Sequence, residues 1–292
     1  MSKRREAAKK ICVITGATTG VGRAAAFQLS TYNTTLILLS RNTAKGSAIV
    51  SAIRERSGEE KADFIKADIS NLGDVLGVVR HIKDEYTRID ILINNAGARF
   101  NTFLTSAQGI ELTFATNHLG HFLLTQRLLD LLALSPDGRI INVSSSAHCG
   151  YTADFDYIRE RRGYDRNAAY GRSKLANLLF TYEMARRLAE TKITVNALHP
   201  GMVVSNFSKN NGLISWAKHV AYYLIKRELI TPAKAADIIT YLALSDEVQG
   251  VTGKYFYNKK QIQSSDASYD QSAGRKLWEV SLQLCGIDET AR

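Results

Sequence analysis

The sequence predicts an α/β fold: a doubly wound parallel sheet of about seven strands, with helices on both faces, in a single domain. Short apolar runs alternate along the chain with longer segments of helical pattern, and a Gly-rich turn follows the first run directly. Continuous Val/Ile/Leu strands separated by helices are typical of a parallel sheet that is covered on both faces. Right-handed crossovers between such strands then give the doubly wound arrangement.

Each predicted element is bounded by this alternation. The predicted strands are ICVIT (11–15), TLILLS (35–40), DFIKAD (63–68), IDILIN (89–94), RIINVS (139–144), ITVNAL (193–198) and KYFY (254–257). The predicted helices cover 21–32, 43–57, 71–87, 107–134, 167–190 and 232–244. Ligands of doubly wound sheets bind at the carboxyl ends of the strands. The residues that follow each strand are therefore the candidates for function.

The composition is that of a soluble globular protein, with 45% hydrophobic and 23% charged residues in a chain of 292. The net charge of +10 is spread along the chain, which favours a basic rim for an anionic ligand over a nucleic-acid surface. Residues 1–9 form the densest basic run, which we interpret as a solvated tail. Because no apolar stretch follows this tail, it does not have the pattern of a secretory signal.

The three cysteines, Cys12, Cys149 and Cys285, are far apart in the sequence. A sparse, odd set of this kind predicts a reducing compartment without a disulfide framework, so we expect a cytoplasmic protein. Cys12 lies inside an apolar strand and is predicted to be a small core residue.

The Gly-rich turn TGATTGVG joins the first strand to the first helix. Such glycines let the backbone turn tightly and approach a pyrophosphate, whose charge is stabilised by the helix N-terminus. The predicted contacts are Gly16, Thr18, Thr19, Gly20, Val21 and Gly22. The G-x3-G-x-G spacing departs from the usual dinucleotide fingerprint, so ordinary turn glycines are the alternative. The position of the turn after the first strand favours the cofactor loop.

The second and third strands end in residues suited to an adenosine group. Arg41 follows the second strand, where an acidic residue would bind the ribose hydroxyls of NAD and an arginine suits the 2′-phosphate of NADP. The sequence therefore favours NADP(H) over NAD(H), with a solvated arginine as the alternative. Asp68 and Ile69 follow the third strand and are candidates for contact with the adenine. Asp68 is equally well suited to beginning a turn.

Small or polar residues follow the fourth and fifth strands. Asn95, Ala96 and Gly97 allow a cofactor to lie against the backbone, since their side chains are short. The fifth strand runs into Ser144 and Ser145, whose hydroxyls are predicted to lie at the mouth of the cleft.

A Tyr-x-x-x-Lys spacing occurs three times, at Tyr170/Lys174, Tyr222/Lys226 and Tyr255/Lys259. Only the first pair lies in a long predicted helix that follows strand-end serines and precedes another strand. Residues four apart on a helix share a face. A nearby ammonium favours the phenolate, so Lys174 is predicted to lower the pKa of Tyr170 toward the working pH.

Taken in order, TGATTGVG, NNAG, the strand-end serines, YGRSK and HPG resemble the short-chain dehydrogenase/reductase family over about residues 10 to 257. The segments NHLGHFLLT (117–125), LANLLF and HPGMV are most similar to the branch of retinol dehydrogenases and WW-domain oxidoreductases. The resemblance implies a Rossmann-like domain that transfers hydride between a nicotinamide cofactor and a carbonyl or alcohol. Family members occur as monomers and as homo-oligomers, and the sequence leaves this open.

The resemblance also assigns roles to residues. The implied catalytic residues are Asn117, Ser145, Tyr170 and Lys174. Ser145 is the second serine after the strand and holds the substrate oxygen, with Ser144 as the alternative. Tyr170 acts as acid or base, and Lys174 also binds the nicotinamide ribose. Asn117 anchors a proton-relay water, and the implied cofactor contacts after the sixth strand are Pro200, Gly201 and Val203.

The remaining features are peripheral to this site. Residues 151–167 are an insertion that we expect to form a flap beside the cleft, and 205–230 are expected to form a variable lid over a lipophilic substrate. A helix on a membrane surface is the minority interpretation of this lid. Residues 258–292 are interpreted as a peripheral tail. His118 and His121 have no third ligand at a supporting spacing, so no metal is expected.

Three functions remain compatible with these patterns. The favoured one is an NADP(H)-dependent oxidoreductase that acts on a lipophilic aldehyde, ketone or alcohol. A carbon–carbon double-bond reductase of the protochlorophyllide reductase type shares the Tyr-x-x-x-Lys core. A regulator that binds NADP(H) without turnover is the third, although such a protein would be expected to lose Tyr170 or Lys174.

Overall fold

The computed structural model describes residues 9–57, 62–203 and 229–288. The strands are β1 (Lys10–Thr15), β2 (Thr34–Ser40), β3 (Ala62–Lys66), β4 (Ile91–Asn94), β5 (Arg139–Val143), β6 (Thr194–Leu198), β7 (Met202–Val203), β8 (Leu229–Ile230), β9 (Lys254–Tyr257) and β10 (Lys260–Ile262). The seven predicted strands correspond to β1–β6 and β9, so this part of the fold prediction is confirmed.

The helices likewise follow the predicted segments. They are α1 (Gly20–Leu29), α2 (Thr43–Ser57), α3 (Leu72–Glu85), α4 (Leu112–Phe114), α5 (Gly120–Ala133), α6 (Arg166–Arg187), α7 (Pro232–Leu244) and α8 (Gln271–Cys285). A π-helical turn, Ala115–Leu119, joins α4 to α5. Short 3₁₀ turns occupy Ser146–His148, Asp156–Ile158, Asp246–Val248 and Asp266–Tyr269.

The main sheet has eight strands in the order β10-β9-β6-β5-β4-β1-β2-β3. All neighbours are parallel except β9 and β10, which are antiparallel. The strand order reverses between β1 and β4, and the carboxyl ends of these two strands therefore flank the crevice in which doubly wound sheets bind ligands. β7 and β8 form a separate parallel pair.

Two hydrophobic layers cover the sheet because alternate strand residues point to opposite faces. On one face, Cys12 and Ile14 pack with residues of α1, α2 and α7. On the other, Val13 packs with residues of α3, α5, α6 and α8. Cys12 is fully buried, as predicted. This arrangement fixes the sheet between the helical layers and holds the strand ends in place.

The interpretation of 258–292 as a peripheral tail is wrong for its described part. Asn258 and Lys259 both have positive φ and turn the chain between the paired residues Tyr257 and Lys260, which adds β10 to the sheet. Helix α8 then buries Trp278 against the core, where its side chain is 3% exposed. Helix α8 is therefore part of the folded core.

Two predicted segments lie outside the described residues. The basic tail falls there except for its last residue, and the lid falls there except for its last two residues. Among the helices that the structure describes, none is both long enough and apolar enough to cross a membrane.

Candidate active site

The Gly-rich turn packs directly on the loop that follows β4. Gly16 and Gly20 have φ values of +67° and +54°, a region that favours glycine. A Cβ at Gly22 would lie 2.3 Å from Asn95 Nδ2 and 2.5 Å from the Gly16 carbonyl oxygen. Only glycine therefore fits at this position, and the close approach of the two loops follows from it.

The start of α1 is open toward this turn. Thr19 is the N-cap residue, and its side chain makes no capping hydrogen bond. The first N–H groups of the helix are thus left for another acceptor, as a bound phosphate requires. The Thr18 hydroxyl lies 2.7 Å from Ser40 Oγ at the end of β2, and its contact with the cofactor stays a prediction. Val21 packs partly buried against the core.

Thr15, at the end of β1, ties the loop after β4 to the sheet. Its Oγ1 accepts hydrogen bonds from the backbone N–H groups of Asn95 and Ala96, each at 2.9 Å. The Asn95 side chain in turn donates to the Thr15 carbonyl at 2.8 Å. These bonds hold the loop after β4, which is predicted to contact the cofactor, rigidly against β1. Sequence reasoning treated Thr15 as an ordinary strand residue.

His121 links Thr15 to the catalytic region, a role the sequence analysis missed. Its Nδ1 lies 3.1 Å from the Asn117 carbonyl oxygen and its Nε2 lies 2.9 Å from Thr15 Oγ1. Burial lowers the pKa of His121 to about 4, with a smaller lowering by the Lys174 charge, so the ring is neutral at physiological pH. Since a carbonyl only accepts, Nδ1 carries the hydrogen and Thr15 donates to Nε2.

Asn117 lies in the π-helical turn and is fully buried. Its Nδ2 donates to the Ala98 carbonyl at 3.0 Å and to Ser173 Oγ at 2.9 Å, and its Oδ1 accepts from the Ala98 N–H at 2.7 Å. Both hydrogens of the amide are therefore used within the protein. The side chain fixes the loop after Gly97 against α6, and the relay water stays a prediction.

The two candidate serines have different surroundings. Ser144 is 2% exposed and donates to the Lys174 carbonyl oxygen at 2.8 Å, which fastens β5 to α6. Ser145 is only partly buried, its Oγ accepts from the Ala147 N–H at 3.2 Å, and its side chain lowers the pKa of the nearby Tyr170 hydroxyl. The geometry thus favours Ser145 as the serine that faces the reacting group and leaves Ser144 a structural role.

Tyr170 and Lys174 lie on one face of α6, with Lys174 Nζ 5.7 Å from the centre of the Tyr170 ring. Lys174 is 3% exposed and donates from Nζ to the Val143 carbonyl oxygen at 2.9 Å. Burial lowers the pKa of Lys174 to about 8. A Cβ at Gly97 would lie 3.5 Å from this ammonium nitrogen and from Asn117 Oδ1, so the loop after β4 borders the same space.

The predicted effect of Lys174 on Tyr170 needs correction. In this structure the pKa of Tyr170 is raised above its ordinary value, because burial outweighs the opposite effects of the Ser145 side chain and of the nearby Arg99 charge. The Lys174 ammonium is directed to a carbonyl rather than to the phenol. The sequence shows that Tyr170 and Lys174 are four residues apart, but it does not show that burial of the phenol raises its pKa.

The predicted adenosine contacts lie at the ends of β2 and β3. Arg41 is exposed and forms an ion pair with Asp68 at 3.7 Å. Asp68 also accepts from the N–H and hydroxyl of Ser70 at 2.9 and 2.7 Å, so it does begin a turn. Ile69 is 5% exposed and packs in the core, where its carbonyl lies against Gly120.

The segment after β6 turns back over the strand ends. Gly201 has a φ of +83°, and its N–H donates to His199 Nδ1 at 3.2 Å. Pro200 precedes it, and Val203 lies in β7, paired with Ile230 of β8. A Cβ at Gly201 would meet Ile230 Cδ1 at 2.9 Å. The HPG motif therefore forms a tight turn at the same edge as the other candidate residues.

His148 connects Ser145 to Ser265, which follows β10. Its Nδ1 lies 2.7 Å from the Ser145 carbonyl oxygen, and the N–H of Ser265 donates to its Nε2 at 3.0 Å. Burial lowers the pKa of His148, which favours the neutral ring that this arrangement needs. One sequence signal accompanies this contact, since His148 comes two residues after the last of the strand-end serines.

The insertion at 151–167 is anchored on both sides. Phe155 and Ile158 are buried in the core, and the Tyr164 hydroxyl donates to the Phe100 carbonyl oxygen at 3.0 Å. Arg166 donates to Asn101 Oδ1 at 2.7 Å. The insertion thus lies against the loop after β4.

His118 and His121 point to different partners. His118 Nε2 lies 2.9 Å from Ser281 Oγ of α8, whereas His121 bonds Thr15 and Asn117. Within residues 9–57, 62–203 and 229–288, no three His, Cys, Asp or Glu side chains group closely enough to hold a metal ion.

Comparisons with known proteins agree with this geometry. The model of the short chain dehydrogenase family matches residues 10–213. Retinol dehydrogenase 13 of Homo sapiens is 38% identical over 285 residues, which cover 96% of this chain and 85% of that protein. A protein of known structure from Mycobacterium paratuberculosis is 30% identical, with a TM-score of 0.74 and coverage of 96% of this chain and 95% of that chain. A short-chain dehydrogenase of Escherichia coli, solved with NADPH, is 25% identical with a TM-score of 0.65, covering 87% and 98%.

The chain therefore belongs to the short-chain dehydrogenase family, whose members are oxidoreductases that use a nicotinamide cofactor. The predicted resemblance to the retinol dehydrogenase branch is confirmed by the relatives it matches. The residues present fit such a cofactor for two reasons. A side chain larger than glycine at Gly16 or Gly22 would collide with neighbouring atoms, so only a glycine turn lets the backbone pass here. The N-cap side chain of α1 makes no capping hydrogen bond, which leaves the first N–H groups for a phosphate.

Proposed function

We propose that this protein is an NADP(H)-dependent oxidoreductase that transfers hydride between the nicotinamide and a carbonyl or alcohol of a lipophilic small molecule. The observation that carries the proposal is the placement of Tyr170 5.7 Å from the buried ammonium of Lys174, with Ser145 close enough to lower the pKa of the phenol. This group lies at the carboxyl edge of the sheet, next to the Gly-rich turn and the loop after β4. The arrangement supports acid–base chemistry at the edge where doubly wound sheets bind ligands.

Tyr170 acts as the acid or base in this proposal. In reduction, its hydroxyl donates a proton to the carbonyl oxygen, and in oxidation the phenolate removes the proton of the alcohol. The Ser145 hydroxyl donates a hydrogen bond to the same oxygen and stabilises its developing charge. A bound nicotinamide dinucleotide supplies the hydride to the carbonyl carbon or accepts it from the alcohol carbon.

Lys174 and Asn117 support the proton transfer. Lys174 Nζ donates to the Val143 carbonyl oxygen at 2.9 Å and lies 5.7 Å from the centre of the Tyr170 ring, at the border of the space where proton transfer is proposed. We propose that it also binds the ribose hydroxyls of the cofactor. Asn117 fixes the loop that borders this space and, with Lys174, is proposed to anchor the water that returns the proton.

NADP(H) rather than NAD(H) is proposed as the cofactor because of Arg41. Its guanidinium is exposed at the end of β2, the position at which the 2′-phosphate of the adenosine ribose distinguishes the two cofactors. Asp68 holds it at the rim of the crevice. Asn95, Ala96, Pro200, Gly201 and Val203 complete the proposed cofactor contacts.

The proposal of a lipophilic alcohol or carbonyl is supported by the similarity to retinol dehydrogenase 13. The three free thiols support the further proposal of a reducing, cytoplasmic location. The non-catalytic alternative is disfavoured, since the chain retains all four predicted catalytic side chains in one place. The double-bond reductase has no specific observation in its favour.

The proposed role of Tyr170 is tested with Tyr170→Phe. A panel of lipophilic aldehydes and ketones is offered with NADPH and with NADH, and turnover is followed by the loss of reduced-nicotinamide absorbance. The variant should lose at least about a hundredfold in kcat while cofactor affinity, measured by nicotinamide fluorescence, stays close to the wild-type value. Tyr164→Phe, on the insertion, is the matched control. Full activity of Tyr170→Phe would reject the proposal.

A further inference from the structure

Arg99, which no motif singled out, stands beside the proposed acid–base group. It follows the NNAG motif by two residues, and its guanidinium carbon lies 6.0 Å from the centre of the Tyr170 ring. Lys174 approaches the same ring at 5.7 Å. The phenol therefore has one cation from its own helix and a second from the loop after β4.

Arg99 is held in this position by the insertion. Its Nη1 donates to Asn167 Oδ1 at 3.3 Å, and Asn167 lies at the start of α6, three residues before Tyr170. The neighbouring Arg166 bonds Asn101 in the same loop at 2.7 Å. The insertion thus fastens the loop to the beginning of the catalytic helix, and the guanidinium is fixed relative to the phenol.

The two cations differ in how constant their charge is. Burial lowers the pKa of Lys174 to about 8, so its ammonium loses its proton within the range in which a dehydrogenase works. A guanidinium keeps its charge throughout that range. Burial is the largest influence on the pKa of Tyr170 and raises it, whereas the charge of Arg99 acts in the opposite direction.

We propose that Arg99 is a positioning residue for the acid–base step, whose permanent charge, held by Asn167, favours the phenolate of Tyr170. This inference rests on the proposed function, since it assigns Tyr170 the proton transfer. Arg99 does not need to touch the substrate in this role. It offsets part of the desolvation that the buried site imposes on the phenolate, and it does so independently of the protonation of Lys174.

Other groups around Tyr170 also affect the pKa of its hydroxyl. Ser145, from the loop after β5, lowers the pKa of the phenol, and Lys174 lies one helical turn away. Tyr255, from β9, lies close enough for the charge of Tyr170 to raise its pKa. Because these groups are unchanged in an Arg99 variant, the effect of removing one charge is separable from them.

The experiment measures alcohol oxidation with NADP⁺ as a function of pH in wild type, Arg99→Met and Arg99→Lys, using an alcohol that the wild type turns over. Arg99→Met removes the charge and keeps much of the side-chain length. In Arg99→Met, the rising limb of the plot of kcat/KM against pH should move up by about one pH unit. On the acidic side of this limb, kcat/KM should be about tenfold lower than in wild type. Arg99→Lys should restore most of the wild-type profile.

Arg166→Met is the matched control, because it removes one cation from the same loop contact without removing the charge beside Tyr170. It should leave the limb in place. A purely structural role for Arg99 predicts equal effects of Arg99→Met and Arg166→Met on thermal stability and no shift of the limb. An unshifted limb in Arg99→Met overturns the inference.

A second readout separates this inference from the proposed function. Tyrosinate absorbance is titrated in wild type and in Arg99→Met, each measured against the same protein carrying Tyr170→Phe, so that the difference isolates one phenol. Tyr170 should ionise about one pH unit higher without Arg99. If Tyr170→Phe is fully active, the proposed function fails while this titration still decides the role of Arg99. If Tyr170→Phe is inactive and the titration is unshifted, only the inference about Arg99 fails.

Discussion

Thr15 and His121 are 106 residues apart in the sequence, yet Thr15 Oγ1 lies 2.9 Å from His121 Nε2. The contact joins the end of β1 to α5, next to the loop after β4. Because His121 also binds the Asn117 carbonyl, a single chain of hydrogen bonds runs from the loop after β4 to the π-helical turn. The sheet and the catalytic region are thereby held as one unit.

Thr15→Val should destabilise the protein and loosen this unit. The substitution keeps the shape but removes the hydroxyl, which leaves the N–H of Ala96 and the Nε2 of His121 without this partner, whereas the Asn95 N–H keeps the Ile93 carbonyl oxygen at 3.1 Å. Each buried polar group left unpaired costs about 1 to 3 kcal/mol, so a loss of about 3 kcal/mol or more is expected in urea unfolding.

Thr15→Ser is the control for this prediction, because it keeps the hydroxyl and loses only a buried methyl group. Its cost should be about 1 kcal/mol. Cofactor affinity should fall in Thr15→Val and stay near wild type in Thr15→Ser. Equal stabilities for the two variants would show that the hydroxyl network contributes little.

Acid should destabilise the protein through its buried histidines. Burial lowers the pKa of His121 from 6.5 to about 4, and that of His199 likewise to about 4. Folding therefore favours the neutral rings, whereas the unfolded chain binds protons below pH 6.5. This stability is fully present above pH 6.5 and is lost as the pH falls toward 4, by about 3 kcal/mol for His121 alone.

The measurement is the urea midpoint at several pH values between 7 and 4. His121→Asn should be less stable than wild type at pH 7 but should show a shallower decline with acid. His81→Gln, an exposed histidine on α3, should decline as steeply as wild type. A wild-type midpoint that does not change between pH 7 and 5 would contradict the prediction.

The fold was predictable as far as local pattern determines it. Strands such as ICVIT and TLILLS are apolar throughout because both faces are covered, and that signal does not depend on distant contacts. β10 carried no such signal. Its sequence, KQI, is polar because it lies at the sheet edge, and the hairpin uses Asn258 and Lys259 rather than a glycine pair.

Helix α8 was missed as a core element for a related reason. Its apolar residues, among them Trp278 and Leu282, occupy one stripe of an otherwise polar helix. Such a pattern is equally consistent with a surface helix. What makes the stripe buried is the cleft between α5 and α6, where Phe122 and Phe180 face it. That complementarity belongs to the tertiary structure and is not written in either segment alone.

Trp278→Ala should show that the C-terminal residues belong to the cooperative core. The indole is 3% exposed, lies 5.1 Å from the Phe122 ring and has the Arg187 guanidinium 4.2 Å from its centre. Removing it leaves a cavity that costs about 3 to 5 kcal/mol. Thermal unfolding should move to lower temperature in one transition, because α8 does not unfold separately.

The control is Leu134→Ala, since Leu134 follows α5 and is 65% exposed. Its effect should stay within about 0.5 kcal/mol. Two separate transitions in Trp278→Ala would mean that α8 is an independent addition, as the interpretation of a peripheral tail implies.

The site was predictable where the residues that act together lie close together in the sequence. Tyr170 and Lys174 share one helix, and the glycines of the turn follow one strand, so short spacing was sufficient. The residues that position them were not predictable in this way. His121, His148 and Arg99 act on groups from other elements, and the raised pKa of Tyr170 reflects how deeply the folded protein buries it.

Arg41→Ala should change cofactor preference without changing stability. The ion pair between Arg41 and Asp68 is exposed and 3.7 Å long, so its loss should alter the free energy of unfolding by less than about 1 kcal/mol. If Arg41 binds the 2′-phosphate, the KM for NADPH should rise about tenfold or more, while the KM for NADH changes little. Arg54→Ala, which removes an exposed cation paired with Asp63 at 3.2 Å, is the matched control and should leave both values near wild type. An unchanged ratio of the two KM values in Arg41→Ala would remove the basis for preferring NADP(H).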